Sequence, residues 1–295
     1  MPVLKMNDAE IASLRQLLND EQFDFRRLDH AHFQARSEGV VVSAYRSGKV
    51  VVQGKNAGAL LGRAGFEVED AEAAGGGGAF ALDRITVGSD ESGKGDYFGP
   101  LVVAAVVVQP EQVVTLQKAG VRDCKKMADS VVLRSAKAIR DLCPHSVIRM
   151  DPVDYNERHA AEGNVALFLS RMHAEAIAKA VADAPRCEGI VIDKFTFASR
   201  LEDALTAAGV DLPVVIRTKA EDNPAVAAAS VLARAEFLIA LKELGEDWGV
   251  ELKKGASGAV EAMARDIFRV GGMPALDTIA KTHFRTTTRV TQETF

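Results

Sequence analysis

The chain has 295 residues, 47% of them hydrophobic and 26% charged, with a formal net charge of −5. That length allows two domains or one large one, and the composition is that of a globular protein rather than a disordered one. The acidic balance argues mildly against nucleic-acid binding by bulk charge without excluding a nucleic-acid binder, because a locally basic surface is what matters for that role. No apolar run reaches the ~20 residues of a membrane-spanning helix, and the first residues lack the basic-then-apolar layout of a signal peptide. Cys124, Cys143 and Cys187 are widely spaced and odd in number, which suits neither a zinc site nor a disulfide framework. A reduced, cytoplasmic protein with no membrane partner is expected.

Asn7 with Glu10 three residues on forms a capping-box pattern. Ile11, Leu14, Leu17 and Leu18 then recur at helical spacing, predicting a helix over about 8–20. Three strands are predicted next, His32 to Arg36, Val40 to Tyr45 and Lys49 to Gln53, with Ser47-Gly48 as the hairpin turn between the last two. Asn56 opens a short helix ending near Arg63. Arg36, Arg46, Lys49 and Lys55 lie on or beside the strands and suit a nucleic-acid platform, on which Tyr45 is a candidate to stack against a base. Residues 67–84 read as a linker, acidic from Glu67 to Glu72 and then carrying Gly75-Gly76-Gly77-Gly78. The predicted division is a small N-terminal domain over 1–66, this linker, and a larger domain over 85–295.

The larger domain opens on a short strand, Ile85-Thr86-Val87, followed by Gly88-Ser-Asp-Glu-Ser-Gly-Lys-Gly-Asp-Tyr-Phe-Gly-Pro100. Leu101 to Val108 is almost wholly β-branched or small and apolar, as in a strand buried on both faces. Two readings of the intervening stretch compete. Gly88 to Lys94 satisfies the first part of a nucleotide-binding P-loop, but position 95 is Gly where Ser or Thr must hold magnesium, and a strand follows where a helix is needed. Two carboxylates inside the loop would also repel a triphosphate. In the other reading Asp90 and Glu91 hold a metal cation. Consecutive strand residues point to opposite faces, so both reach one ion only if the strand ends or bends there, which the Gly and Ser that follow permit. A solvated turn is the plain alternative.

Asp90-Glu91-Ser92-Gly93-Lys94-Gly95-Asp96-Tyr97-Phe98-Gly99-Pro100 resembles the first active-site block of the type 2 ribonucleases H, and its Asp-Tyr-Phe-Gly-Pro half resembles ribonuclease HIII in particular. Further blocks follow in the family's order. Gly120-Val-Arg-Asp-Cys-Lys-Lys-Met127 is similar to the family's Asp-Ser-Lys-Lys-Leu block, with Cys124 a small departure. A helix is predicted from about Ser130 to Ile139. The Tyr155-Asn156-Glu157 block precedes a second helix from Asn164 to Ile177, whose His173 reads as a packed or half-exposed histidine. Gly189-Ile-Val-Ile-Asp193 is a buried strand ending in a carboxylate, at the carboxyl end of a strand where sites in α/β sheets gather. Val214 to Ile216 runs into Arg217-Thr-Lys-Ala-Glu-Asp-Asn223, and an alanine-rich helix extends from Pro224 to Leu238. Leu252-Lys-Lys-Gly-Ala-Ser257 and Ile279-Ala-Lys-Thr-His-Phe284 complete the series. Residues 253–295 carry seven basic side chains against four acidic ones.

The resemblance implies an α/β fold: a ribonuclease H-like mixed sheet with surrounding helices, preceded by a small α+β domain like the TATA-binding protein. It implies an endonuclease cutting the RNA strand of an RNA/DNA hybrid duplex, with 5′-phosphate and 3′-hydroxyl products; a monomer is expected. Asp90, Glu91, Asp193 and Glu221 are the implied catalytic and metal-binding acids. Glu221 is preferred to Asp222 because ribonuclease HIII tends to use Glu where ribonuclease HII has Asp. Hard oxygen donors select Mg²⁺ or Mn²⁺. Gly93, Lys94 and Gly95 are expected at the 2′-hydroxyl and adjacent phosphate, and Lys125 and Lys126 on backbone phosphates. Ribonuclease HII places a tyrosine late in its catalytic domain to read an RNA–DNA junction, whereas the tyrosines here are Tyr45, Tyr97 and Tyr155. The rival classes are a catalytically silent hybrid- or DNA-binding protein of the same fold and a P-loop NTPase.

Overall fold

Asn7 accepts a hydrogen bond from the Glu10 backbone and donates its own N–H to the Glu10 carboxylate at 2.7 Å, so the capping box starts the first helix as expected. The computed structural model describes residues 3–21, 23–37, 39–54, 60, 83–122, 124, 127–193, 195–196, 198–218 and 220–292. The chain divides into two compact units, Met1–Gly76 and Gly77–Phe295. Apart from Leu60, the expected helix from Asn56 lies outside the described residues, as does most of the linker 67–84.

The first unit contains β1 (Val3–Lys5), α1 (Asp8–Asp20), β2 (Asp24–Arg26), β3 (Ala31–Ser37), β4 (Val40–Tyr45) and β5 (Lys49–Gly54). The three expected strands form, with two short ones besides. All five make one antiparallel sheet in the order β1-β5-β4-β3-β2. Phe33 and Ala35, Val42 and Ala44, and Val50 and Val52 are buried, as are Ile11, Leu14 and Leu18 of α1. The alternation leaves Arg36, Lys49 and Gln53 exposed and Gln34, Val41 and Val51 half-buried on the other face.

The second unit contains β6 (Thr86–Ser92), β7 (Leu101–Val108), α2 (Val113–Lys118), α3 (Asp129–Leu142), β8 (His145–Met150), α4 (Pro152–Glu162), α5 (Val165–Ala182), β9 (Gly189–Asp193), α6 (Ala198–Ala207), β10 (Val214–Arg217), α7 (Pro224–Glu246), α8 (Gly258–Ile279) and α9 (Arg285–Gln292). Its sheet runs β10-β9-β6-β7-β8, with β10, β9 and β6 parallel and β7 and β8 antiparallel to their neighbours. This is the expected mixed sheet with helices around it.

β7 is buried at every position, as its composition predicted, because it divides two cores. Val102, Ala104 and Val106 pack with α3, α7 and α8, whereas Leu101, Val103, Ala105 and Val107 pack with α5 and α6. Helix α7 is long and apolar enough to cross a membrane, yet 72% of its most apolar window is buried inside the protein. It is a core helix here.

One expectation is corrected. The strand expected over 85–87 runs on through Asp90 and Glu91 to Ser92, each paired in register with β7. The seven-residue ladder to β7 outweighs the poor strand propensity of those polar residues. The turn comes only at Gly93, whose φ of 89° is in the glycine-favoured region and whose missing Cβ makes room for the Pro100 carbonyl.

Candidate active site

Because β6 stays regular through Glu91, its two acids face opposite sides of the sheet. Gly88 and Asp90 face α7. A Cβ on Gly88 would lie 2.2 Å from the backbone of Ala225, so this glycine lets the start of α7 rest directly on the strand. Asn223 caps that helix start, accepting from the N–H groups of Ala225 and Val226. About one turn further on, Ser230 reaches Asp90 with its hydroxyl. Ser89 and Glu91 face α5 on the other side, where His173 waits.

The parallel pairing of β6 with β9 sets the third acid. Its last paired residues are Ser89 and Ile192, and Asp90 and Asp193 each follow by one. Asp193 accepts a hydrogen bond from the Ala220 N–H at 3.2 Å, which brings the short 3-10 turn Ala220–Asp222 against it. Glu221 lies in that turn. All four expected acids are half-buried. Asp222 is instead held by Arg217 through both carboxylate oxygens and is well exposed.

Burial pushes the Asp90 carboxyl up to about 7, reinforced by the charges of Glu91 and Asp193 and opposed by the Ser230 hydroxyl. Burial acts on Glu91 in the same sense, but His173 and Lys94 outweigh it and hold that carboxyl below its ordinary range. Lys94 Nζ lies 3.6 Å from Glu91 Oε1 and 5.5 Å from the centre of the Phe195 ring. A cation would relieve the raised Asp90, and carboxylate oxygens are the donors that Mg²⁺ and Mn²⁺ take, so the donor set suits such an ion. Among the described residues, however, no three acidic, His or Cys side chains are gathered into one metal-binding cluster.

His173 was not expected here. It has no solvent exposure, and its ring lies between Ser89, Glu91 and Phe195. The sequence offered only a histidine on an apolar helix face as a signal.

The remaining blocks brace the loop from Gly93 to Pro100. Asp96 accepts from the Gly255 N–H at 2.6 Å, and the Tyr97 N–H donates to the Gly255 carbonyl. The Lys281 N–H donates to Tyr97, and the Gly99 N–H to Ile279. Lys281, wholly buried, turns its ammonium onto the carbonyls of Gly99 and Pro100. Asn156 fixes this last segment in turn, donating to Ala280 and accepting from Thr282. Four separated stretches of sequence thus form one hydrogen-bonded support. Gly95 has open space where a side chain would stand. Lys125 and Lys126 lie outside the described residues. The P-loop alternative is not met, since the loop leads from Lys94 into β7 and not into a helix.

The fold and sequence of the larger unit are those of a type 2 ribonuclease H: the family model for Ribonuclease HII matches residues 87–287, while residues 2–65 match a domain of unknown function, DUF3378. The chain is 33% identical over 288 residues to ribonuclease HIII of Protochlamydia amoebophila, covering 97% of this chain and 95% of that one. It is 36% identical over 284 residues to ribonuclease HIII of Chlamydia abortus, covering 92% and 91%. Its fold matches the crystal structure of Bst-RNase HIII in complex with Mn²⁺ with a TM-score of 0.68, at 32% identity and with 99% and 98% of the two chains covered. The chain belongs to the ribonuclease HIII family.

Proposed function

We propose that this protein is an endonuclease that hydrolyses the RNA strand of RNA/DNA hybrids, with Asp90, Glu91, Asp193 and Glu221 holding Mg²⁺ or Mn²⁺. What supports the reading is the strand register: Asp90 and Asp193 each follow the last paired position of neighbouring strands, the Glu221 turn is bonded to Asp193, and Glu91 follows Asp90 on the other face of β6. Grouping half-buried anions costs stability, and a divalent ion offsets that cost. When bound, such ions supply an activated water and stabilise charge on the leaving oxygen.

The chain's own residues do the rest. Gly95 has open space where a side chain would stand, and the tight turn at Gly93 presents the loop's backbone, which suits recognition of the 2′-hydroxyl, the mark of RNA at every nucleotide. Lys94 is exposed enough to exchange Glu91 for a phosphate. Lys125 and Lys126 add phosphate contacts in this reading. In the first unit, the open sheet face carries Arg36 and Lys49, a basic surface on which a duplex backbone can lie. The reading takes the protein as a cytoplasmic monomer.

The test is a labelled hybrid incubated with Mg²⁺, with Mn²⁺ and with chelator. Cleavage of the RNA strand that needs either metal is expected. Hybrid binding with no cleavage in either metal would make this a silent binding protein.

A further inference from the structure

Ser89 and Glu91 stand two residues apart on β6 and share the face covered by α5, where His173 is fully buried. His173 Nδ1 lies 2.7 Å from Ser89 Oγ, and that oxygen lies 3.0 Å from the Ala104 carbonyl. On the other side of the ring, Nε2 lies 3.4 Å from Glu91 Oε2 and has no hydrogen-bond partner among the described residues. Phe195 stacks on the ring at 4.4 Å between centroids and 17° between planes, which fixes its tilt.

The neighbours decide which nitrogen faces Glu91 with a proton. Ser89 has one hydroxyl proton and two acceptors near it. If that proton goes to Nδ1, the neutral ring carries its own proton on Nε2, pointing at Glu91. If it goes to Ala104, Nδ1 must donate to Ser89, and Nε2 meets the carboxylate favourably only when it is protonated too. The remaining arrangement sets a bare lone pair against a carboxylate in a buried site, which is strongly disfavoured. Both admissible arrangements turn an N–H toward Oε2.

We propose that His173, backed by Ser89, is a positioning residue that anchors Glu91 Oε2 from inside the protein and leaves Oε1 as the oxygen offered to a metal ion. Oε1 faces Lys94, whose side chain is 41% exposed and can withdraw, while His173 cannot. The regular strand explains why an anchor is needed. Glu91 points away from Asp90, so only a fixed side-chain direction brings one of its oxygens back toward the strand end. The proposal rests on the metal reading given above.

The test compares wild type with His173→Leu, His173→Gln and Ser89→Ala. The Mn²⁺ dissociation constant is measured by the electron paramagnetic resonance of free Mn²⁺ without substrate. Thermal midpoints in chelator and kcat and KM on hybrid are measured alongside. Losing a residue that orients a metal ligand weakens metal binding about tenfold to a hundredfold, and His173→Leu is expected to do so with KM for hybrid unchanged. His173→Gln places an amide N–H near the position of Nε2 and is expected to restore most of the affinity. Should His173→Leu not fold, Ser89→Ala carries the test and is expected to weaken Mn²⁺ binding severalfold. Wild-type affinity in Ser89→Ala, or equal losses in Leu and Gln variants, would overturn the proposal. Wild-type protein that takes up no Mn²⁺ would overturn the metal reading beneath it.

Discussion

Asp90 and Asp193 stand side by side, each one residue past the last paired position of two parallel strands. Their proximity, with the burial of Asp90, gives a stability prediction for metal-free protein. The Asp90 carboxyl is pushed from its ordinary 3.8 up to about 7, so between those values the folded chain holds a proton that the unfolded chain has lost. Stability therefore falls as pH rises through that window. Asp90→Asn removes the effect. In chelator the variant should exceed wild type at pH 8 by roughly 1–3 kcal/mol, and the gain should vanish toward pH 4. Urea denaturation at both pH values measures this, and no gain at pH 8 would mean Asp90 carries no such burden.

Glu221 and Asp222 are neighbours with different fates. Arg217 occupies the Asp222 carboxylate and holds its carboxyl below the ordinary range, while the turn carrying Glu221 is tied to Asp193. Glu221→Gln should lower the cleavage rate by orders of magnitude and Asp222→Asn only mildly. The reverse result in a single-turnover assay moves the fourth acid by one residue.

Lys281 offers a second pH signature, distant in sequence from the acids. Burial pulls its ammonium down to about 7 from 10.5, with Asp96 opposing. Between those values the unfolded chain binds the extra proton, so Lys281 makes stability rise with pH, by up to ~1.4 kcal/mol per unit. Lys281→Met should flatten the wild-type slope between pH 7 and 10. It should also raise KM for hybrid, because the Gly99 and Pro100 carbonyls lose their donor and the loop above them loosens. Parallel slopes in the two proteins would refute the assignment.

Much of this architecture is legible in the amino-acid sequence, for identifiable reasons. The capping box of Asn7 and Glu10 is local, and β7 is apolar throughout because both its faces are covered. The acids could be named because their blocks resemble a known family in order. What was not legible is long-range. The polar residues Asp90 to Ser92 give no strand pattern, and their pairing depends on β7. β8 lies at the sheet edge with every residue half-buried, so it shows no alternation. His173 looked like any packed histidine because Ser89, its partner, is 84 residues away. The roles of Asn156 and Lys281 as braces likewise need the third dimension.

Substrate choice follows from where the tyrosines are. Tyr97 is buried, with its hydroxyl bonded to Thr287, and Tyr155 is buried under His283. Neither is placed to stack on a nucleotide at a junction, so the proposed reading gives ribose recognition to the Gly93–Gly95 loop across several nucleotides. A run of four ribonucleotides in duplex DNA should be cut efficiently and a single embedded ribonucleotide poorly, in Mg²⁺ and in Mn²⁺. Equal rates on the two would assign junction reading to the Gly-Lys-Gly loop.

The most direct measurement is of cleavage and binding by Asp90→Asn on the same labelled hybrid. The substitution removes a carboxylate charge next to Asp193 but none of the basic or backbone groups that the proposed reading sets against phosphate and ribose. Cleavage in Mg²⁺ or Mn²⁺ should disappear while the dissociation constant for hybrid stays within about threefold of wild type, under ~0.7 kcal/mol. A variant that keeps more than about a tenth of the wild-type rate, a loss under ~1.4 kcal/mol, would contradict the claim that Asp90 holds the catalytic metal.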